Sequence, residues 1–365
     1  MPTFDVAVAG AGIIGSAVAH ACARRGARVL LLDRDQPGAH ASGGAAGMLT
    51  PSSEADAPGP FLDLARHSLS LWPALAAELL EESGVDPELV LDGVLRVAID
   101  DGDLVRLKER CAWQQAAGLT CRRLDRAALT GSEPALASPL AAAAVYPDEG
   151  HVQSARAVQA LVGAARRWGA EVQSGVEVVA VDPGGRVRLA GGGTVLAGAV
   201  VIAAGAWVSR LTALPVRPVR GQLIGVRGLP RLPRHVLVAG RRGYAVAKRD
   251  GLVLVGATEE DAGFDARVTV AATEALLQTG RRLLAGFADA TLAHSWSGLR
   301  PRTPDALPVL GPLPGHPGPI PVLVAGAHFR NGVLLAPATA AGMADLALER
   351  RTPPDWAAFD PRRFS

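Results

Sequence analysis

Lysine is almost missing from this chain. Lys108 and Lys248 are the only two in 365 residues, so nearly all of the 37 basic side chains are arginine. An isolated arginine therefore says little, and only arginines inside a distinctive motif can be singled out. An excess of either charge is missing as well: 37 basic against 35 acidic residues leave a net charge of +2. That balance gives no electrostatic case for nucleic acid or an anionic membrane as a partner. Cysteine is scarce, and Cys22, Cys111 and Cys121 are odd in number and match no metal or redox spacing. Small, reduced, buried thiols are expected, which excludes a disulfide scaffold and points to the cytoplasm. No basic stretch followed by an apolar one opens the chain, and no apolar run of about 18 residues is seen, so neither a leader nor a spanning helix is expected.

What the chain does have is apolar residues, at 49%, and glycine, at 42 positions. The length suits two domains, or one domain with a large insertion, and is ample for a core. The organising stretch is Phe4 to Asp33, FDVAVAGAGIIGSAVAHACARRGARVLLLD. A short apolar strand, Phe4 to Ala9, runs into Gly10, Gly12 and Gly15. A helix of about Ile13 to Arg25 follows, then a second strand, Arg28 to Leu32, ending at Asp33. Gly10 allows the tight turn, Gly12 the close approach of a pyrophosphate, and Gly15 the close packing of helix on strand. The helix aims its free amides at the phosphates, and an acid at about 20 residues' distance suits the adenosine ribose hydroxyls. With this much glycine a bare GxGxxG arises by chance roughly 0.5 times. The strand before it, the helix after it and the acid at the right distance make it a nucleotide-binding unit.

Further along, Pro37 to Pro60 reads as a long loop of small and polar residues, a length that is usually functional or mobile. Phe61, Ala65, Trp72, Leu75 and Leu79 share one face of a helix ending near Gly84. Gly93 to Ile99 reads as a strand, Asp101 to Ala117 as a helix and Ala141 to Tyr146 as a strand. Ser154 is expected to cap a helix running to Trp168, and Glu171 to Val181 supplies strands. The run at Ala199 to Ala203, closed by Gly205, resembles the opening strand, so the nucleotide domain resumes after an interruption. Alternation at Val219 to Val226, Tyr244 to Lys248 and Leu252 to Thr258 predicts an antiparallel sheet. A helix is expected over Val270 to Leu284, a third buried strand over Pro321 to Ala325, and a terminal helix near Gly332 with Pro337 in its first turn. The fold class is thus α/β, with a nucleotide domain (residues 1–84, 141–215 and 300–365) interleaved with an α+β second domain (85–140 and 216–299).

Five blocks carry a resemblance over nearly the whole chain: GAGIIGSAVA at the start, the loop ending AAGML at Leu49, GYAVAKRDGLVLVGAT (Gly243 to Thr258), WSGLRPRTPD (Trp296 to Asp305) and GAHFRNGVLLAPATA (Gly326 to Ala340). Together they resemble the FAD-dependent D-amino-acid oxidase family, most closely its glycine-oxidase branch in thiamine biosynthesis. The resemblance implies a glutathione-reductase-like FAD-binding Rossmann domain joined to a substrate domain with a large antiparallel sheet. It implies FAD held non-covalently, since no cysteine lies near His328.

On that resemblance Gly10, Gly12, Ile13, Ile14, Gly15, Asp33, Arg34, Ala41 and Ser42 serve the AMP and pyrophosphate half of FAD, with Gly205 counted among the cofactor residues. Val178 meets the adenine end through its backbone. Ala46, Gly47 and Met48 lie along the flavin. His328, Phe329, Arg330, Asn331, Gly332, Val333 and Leu334 lie at its pyrimidine side, where the helix start faces developing negative charge. Arg300 would pair with the substrate carboxylate and Tyr244 hydrogen-bond it. Arg330 would touch the amine or carbonyl end through its backbone, or fix the loop.

The activity implied is hydride transfer from glycine, sarcosine or a small D-amino acid to flavin N5, giving an imine and, with dioxygen, hydrogen peroxide. Positioning carries such a reaction, and the lack of a His/Asp or paired-carboxylate constellation fits it. A D-amino-acid dehydrogenase with another acceptor, and a non-catalytic FAD-binding subunit of a larger complex, are the alternatives. The relatives imply a homo-oligomer, a tetramer. Two details depart from the family pattern: Asp33 stands where many flavin members use glutamate, and Arg242 would bring charge to the pocket mouth. Glu259, Glu260 and Asp261 read as a solvated acidic loop.

Overall fold

The computed structural model describes residues 3–137 and 142–365. Phe4–Ala9 is apolar on both faces and takes the interior of a sheet, parallel to Thr194–Ile202 on one side and to Val29–Asp33 on the other. Val322–Gly326 and Glu171–Ser174 extend the parallel set outward, and Val309–Pro312 adds an antiparallel edge. Helices Ile13–Arg24, Pro60–Ser83, Ser154–Arg167 and Gly332–Glu349 cover one face and share one apolar core. This is the glutathione-reductase-like FAD-binding layer, and every segment expected in its parallel core is there.

The second sheet has the order Thr291–Arg302, Arg217–Arg227, Val253–Gly256, Tyr244–Ala247, Val236–Val238, Val94–Ala98, Ala142–Tyr146, Arg122–Asp125. It is antiparallel except where Val236–Val238 meets Val94–Ala98. Two expectations need correction here, and two elements are additions. The strand at Ala142–Tyr146, placed with the nucleotide domain by a boundary at 140/141, pairs with Val94–Ala98 and Arg122–Asp125 in the second sheet; Ala141, its expected first residue, lies outside the described residues, as does the end of the segment 85–140. Thr291–Arg302 is one continuous strand across the expected boundary at 300. The strand Arg122–Asp125 and helix Arg126–Ser132 have no counterpart in the sequence reading.

Two helices differ from expectation in detail. Ser154 is the first helical residue and not the cap; its hydroxyl donates to the Ser42 carbonyl and ties the helix to the small-residue loop. The helix Gly332–Glu349 is long and apolar enough by composition to cross a membrane, although Asp345 and Glu349 interrupt its apolar run. Its apolarity has a local cause, since it is buried between Ile13–Arg24 and Pro60–Ser83. Pro337 sits inside it, beyond the first turn. Trp72, fully buried, and Ser68 donate to the Leu334 carbonyl at 3.3 and 2.7 Å.

The expected loop 37–60 has some structure of its own: Met48–Leu49 pairs with Gly150–His151, and Pro51–Glu54 makes one helical turn. That turn rests on a buried polar platform. Arg110 donates to the Ser52 and Ser53 carbonyls at 2.9 Å each, to the Ala55 carbonyl, and to Asp56 at 3.0 Å. Gln114 donates to the Ser52 carbonyl at 2.6 Å. Glu149 accepts from the Ser52 amide at 2.7 Å, and burial pushes its carboxyl up to about 8.

Two outcomes follow from this packing. Trp72→Ala removes a fully buried indole and is expected to cost about 3–5 kcal/mol, read as a lower chemical-denaturation midpoint. Glu149 keeps its proton in the folded chain between its ordinary 4.5 and about 8, where the unfolded chain has released it. More protons are bound folded than unfolded, so stability falls as pH rises through that window, by on the order of a few kcal/mol in all. Glu149→Gln copies the neutral form, and its thermal midpoint relative to wild type should climb from pH 5 to pH 8. A difference independent of pH would show that burial does not shift this carboxyl.

Candidate active site

A cleft of about 1070 Å³ runs between the two sheets, large enough for a bound cofactor. One end is made by the glycine turn. Gly10 has φ +108°, and a Cβ there would lie 2.5 Å from the Ala203 carbonyl oxygen, so the turn needs glycine. Asp33 Oδ2 accepts from the Ala11 amide at 2.6 Å and Oδ1 from the Asp35 amide at 2.9 Å. The carboxylate thus braces the turn from within while also lining the cleft. Ser42 Oγ accepts from the Ile13 amide at 2.9 Å, fastening the small-residue loop to the start of the helix. Arg34 stacks over the Trp207 ring at 4.1 Å, with His40 against the same ring at 4.6 Å.

Gly10, Gly12, Ile13, Ile14, Asp33, Arg34, Ala41, Ser42, Ala46, Gly47, Met48, Val178, Gly205, His328, Phe329, Arg330, Asn331, Gly332 and Val333 all line this cleft, as do Arg300 and Tyr244. Two expected residues do not. Gly15 is buried behind the turn, where a Cβ would lie 1.8 Å from the Gly10 carbonyl oxygen; its part is helix packing. Leu334 points into the core between helices. None of the three cysteines lines the cleft.

The middle of the cleft is pinned from both lobes. Lys248 is buried, and its Nζ donates to the carbonyls of Ala46 at 2.7 Å and Val152 at 2.9 Å. Burial pulls its amine down to about 7. Trp296 Nε1 donates to the Gly44 carbonyl at 2.8 Å. Neither residue stands out in the sequence as part of a site; the scarcity of lysine is the available signal for the first. On the far wall Ala327 and Phe329 have φ of +54° and +49°, sparsely populated for residues with a side chain. They flank His328, whose Nε2 lies 3.1 Å from Thr339 Oγ1 and which burial pushes down to about 3, so its ring is neutral. Strain of this kind gathers at functional sites. The N-terminus of Gly332–Glu349 opens into the cleft just beyond.

The charged groups beside it divide into two sets. Arg330 is paired with Glu54 at 2.9 Å and Glu259 at 3.6 Å, and Glu259 also takes Arg302 at 3.1 Å. Glu260 accepts from Arg220 at 2.6 Å and Gln222 at 2.7 Å, and Asp261 pairs with Arg217 at 2.6 Å. Glu259 and Asp261 are exposed, as expected of a solvated acidic loop, and the loop is also tied down by ion pairs, of which those of Glu259 with Arg302 and Arg330 lie at the cleft. Arg242, expected to charge the pocket mouth, is neutralised by Asp100 and by Asp103 at 3.5 Å. Arg300 differs from these. Among the described residues it has no carboxylate partner, and its Nη1 donates to the Thr258 carbonyl at 2.8 Å. It lies over Gly221, where a Cβ would fall 2.1 Å from Nη1. Tyr244 lies likewise over Gly256, and burial pushes its phenol up to about 12, so it stays a hydrogen-bond donor.

The arrangement joins an anion-binding turn at one end to an unpaired guanidinium and a phenol at the other, with a helix N-terminus between. The turn, the small-residue loop and the helix start together fit a flavin dinucleotide. The DAO family, described as FAD dependent oxidoreductase, matches residues 5–346. The chain is 37% identical to the glycine oxidase of Geobacillus kaustophilus (strain HTA426), over 99% of this chain and 97% of that protein. The crystal structure of glycine oxidase from Geobacillus kaustophilus matches it with a TM-score of 0.93 at 36% identity, covering 99% of this chain and 98% of that one. It is 33% identical to the bifunctional protein ThiO/ThiG of Trichormus variabilis, over 99% of this chain and 55% of that protein. It is 32% identical to the hydrogen cyanide synthase subunit HcnC of Pseudomonas aeruginosa, over 99% and 96%. The chain belongs to the DAO family of FAD-dependent oxidoreductases and is an FAD-dependent amino-acid oxidase that holds its cofactor non-covalently.

Proposed function

We propose that this enzyme oxidises glycine or another small amino acid or amine, such as sarcosine or a small D-amino acid, to the imine, with dioxygen as acceptor and hydrogen peroxide as product. The observation that carries the reading is Arg300: a guanidinium inside the cleft with no carboxylate partner among the described residues. Its planar fork suits bidentate pairing with a substrate carboxylate, and the Tyr244 hydroxyl beside it supplies a further donor. FAD supplies the two-electron acceptor for a hydride from the substrate Cα. The chain fixes the carboxylate so that this carbon faces the ring, which is catalysis by positioning. Glu54 and Glu259 lie in ion pairs with arginines and the His328 ring lies against Thr339, and none of them is assigned the proton of the substrate amine. The amine therefore reaches the site neutral, having lost its proton to water.

The likeness to a ThiO/ThiG protein supports a role for the imine in thiamine biosynthesis. Free, buried thiols support a cytoplasmic location. The likeness to HcnC, named as a subunit of hydrogen cyanide synthase, supports a second reading, in which this chain works within a larger assembly and hands its electrons on there rather than to oxygen.

Anaerobic glycine, sarcosine or D-alanine is expected to bleach the flavin band of the purified protein, and admitting air should restore it with release of peroxide. Bleaching without peroxide on reoxidation by a dye favours the second reading; no bleaching by any of them overturns both. Arg300→Ala should weaken substrate binding by about 2–5 kcal/mol with FAD retained, and an unchanged KM removes Arg300 from the site. At subsaturating substrate, the rate should rise about tenfold per pH unit below the substrate amine's pKa. A flat profile would indicate a base within the site.

A further inference from the structure

Cys111 and Cys121, ten positions apart, bring their sulfurs to 2.9 Å in a buried pocket behind the Pro51–Glu54 turn. Cys111 lies on the helix Asp101–Ala116, and Cys121 directly precedes the strand Arg122–Asp125. The turn between them is held from several sides. Gln115 Nε2 donates to the Cys121 carbonyl at 2.8 Å, and the Leu119 amide donates to the Gln114 carbonyl at 2.9 Å. Gln114, on the same helix, is fixed by the Tyr146 hydroxyl at 2.8 Å and by Ser52. The sulfurs are thus held face to face, within about 1 Å of the length of a disulfide bond. Cys22 sits in the other lobe's core, where burial pushes its thiol up to about 12.

We propose that Cys111 and Cys121 form a dithiol that hydrogen peroxide closes to an intramolecular disulfide. The chemistry balances without any other reactant. A thiolate at Cys121 attacks one peroxide oxygen, the O–O bond breaks, and the departing hydroxide takes a proton to become water, leaving a sulfenic acid. The Cys111 sulfur then attacks the Cys121 sulfur, the S–O bond breaks, and a second water leaves with the Cys111 proton. Two thiols are oxidised and one peroxide is reduced to two waters. Cys121 is the better attacking group: the S–H of Cys111 and the charges of Arg110 and Arg123 stabilise its thiolate and lower its pKa. Cys121 is also the less buried of the two, at 7% against 2% exposed. The second thiol cannot easily ionise beside the first, so Cys111 keeps its proton until the bond forms.

The test uses the FAD-loaded protein and added hydrogen peroxide, so it does not depend on which substrate or acceptor the enzyme uses. Titratable thiols should fall from three to one, the intact mass should drop by two hydrogens, and a cross-linked peptide should join Cys111 to Cys121. Dithiothreitol should reverse all three changes. In Cys111→Ser the resolving thiol is gone, and a sulfenic-acid trap should label Cys121. Three thiols persisting after peroxide, oxygen added to either cysteine without a cross-link, or a bond involving Cys22 or a second chain would each overturn the proposal. The wild-type mass measurement decides it even if the variant fails to fold.

Discussion

The constraint on which the site depends is a cation, Arg300, left without a counter-ion among the described residues. Taking an unpaired charge out of water carries a penalty; Arg300 is half-buried in the cleft wall, and desolvation lowers its proton affinity. The neighbouring guanidiniums escape that penalty by pairing: Arg330 with Glu54 and Glu259, Arg302 with Glu259, Arg220 with Glu260. Arg300 is in reach of the same acidic segment yet bonds only its backbone, at the Thr258 carbonyl. Room for this is made by glycine, since any side chain at position 221 would collide with the guanidinium and any at 256 with the Tyr244 ring. A fold that leaves this guanidinium without a carboxylate among the described residues, inside a cleft, is arranged for a ligand that brings the opposite charge with it.

Such a charge is useful only if the cofactor face opposite it is held still, and the small-residue loop would not do this by itself. Its stiffness comes from both lobes. Ser42 fastens it to the glycine turn, Trp296 and Lys248 fasten it to the second sheet, and Arg110, Gln114 and Glu149 hold its Pro51–Glu54 turn from beneath. Most of these partners are buried polar groups, which stabilise only when every bond is made. The half-neutral character of Lys248, the protonated Glu149 and the neutral His328 reflect that packing: each gives up charge where water cannot reach it.

Local features were legible in the sequence, and pairings across long separations were not. The opening βαβ unit could be read because a buried strand, three glycines, a helix and an acid at the right distance all signal within about 30 residues. The lining of the cleft by the HFRNG segment could be read only through the family's pattern. The isolation of Arg300 could not, because it depends on where Glu54, Glu259 and Arg330 find one another from segments far apart in the chain. The same applies to Arg242, whose charge is cancelled by Asp100 and Asp103 on a distant helix. Ala142–Tyr146 was legible as a strand but not as a member of the second sheet, because strand type is local and partner choice is not. Leu334 was misplaced for a helical reason: successive residues of Gly332–Glu349 turn by about 100°, so the one after Val333 already faces the core.

The ion pair between Arg330 and Glu54 joins these threads. Arg330 belongs to the segment bearing the two left-handed residues, and Glu54 to the turn held by Arg110. One contact at 2.9 Å therefore links the flavin-side wall to the platform beneath the opposite loop. Were Arg330 free, it would compete with Arg300 for a substrate carboxylate and blur which way the Cα faces. Were Glu54 free, it would be a base beside the amine, and the site would need to control a second proton. Pairing the two removes both alternatives at once, and orientation is left to Arg300 and Tyr244. That division keeps Arg330 from competing for the carboxylate in a cleft lined by several arginines.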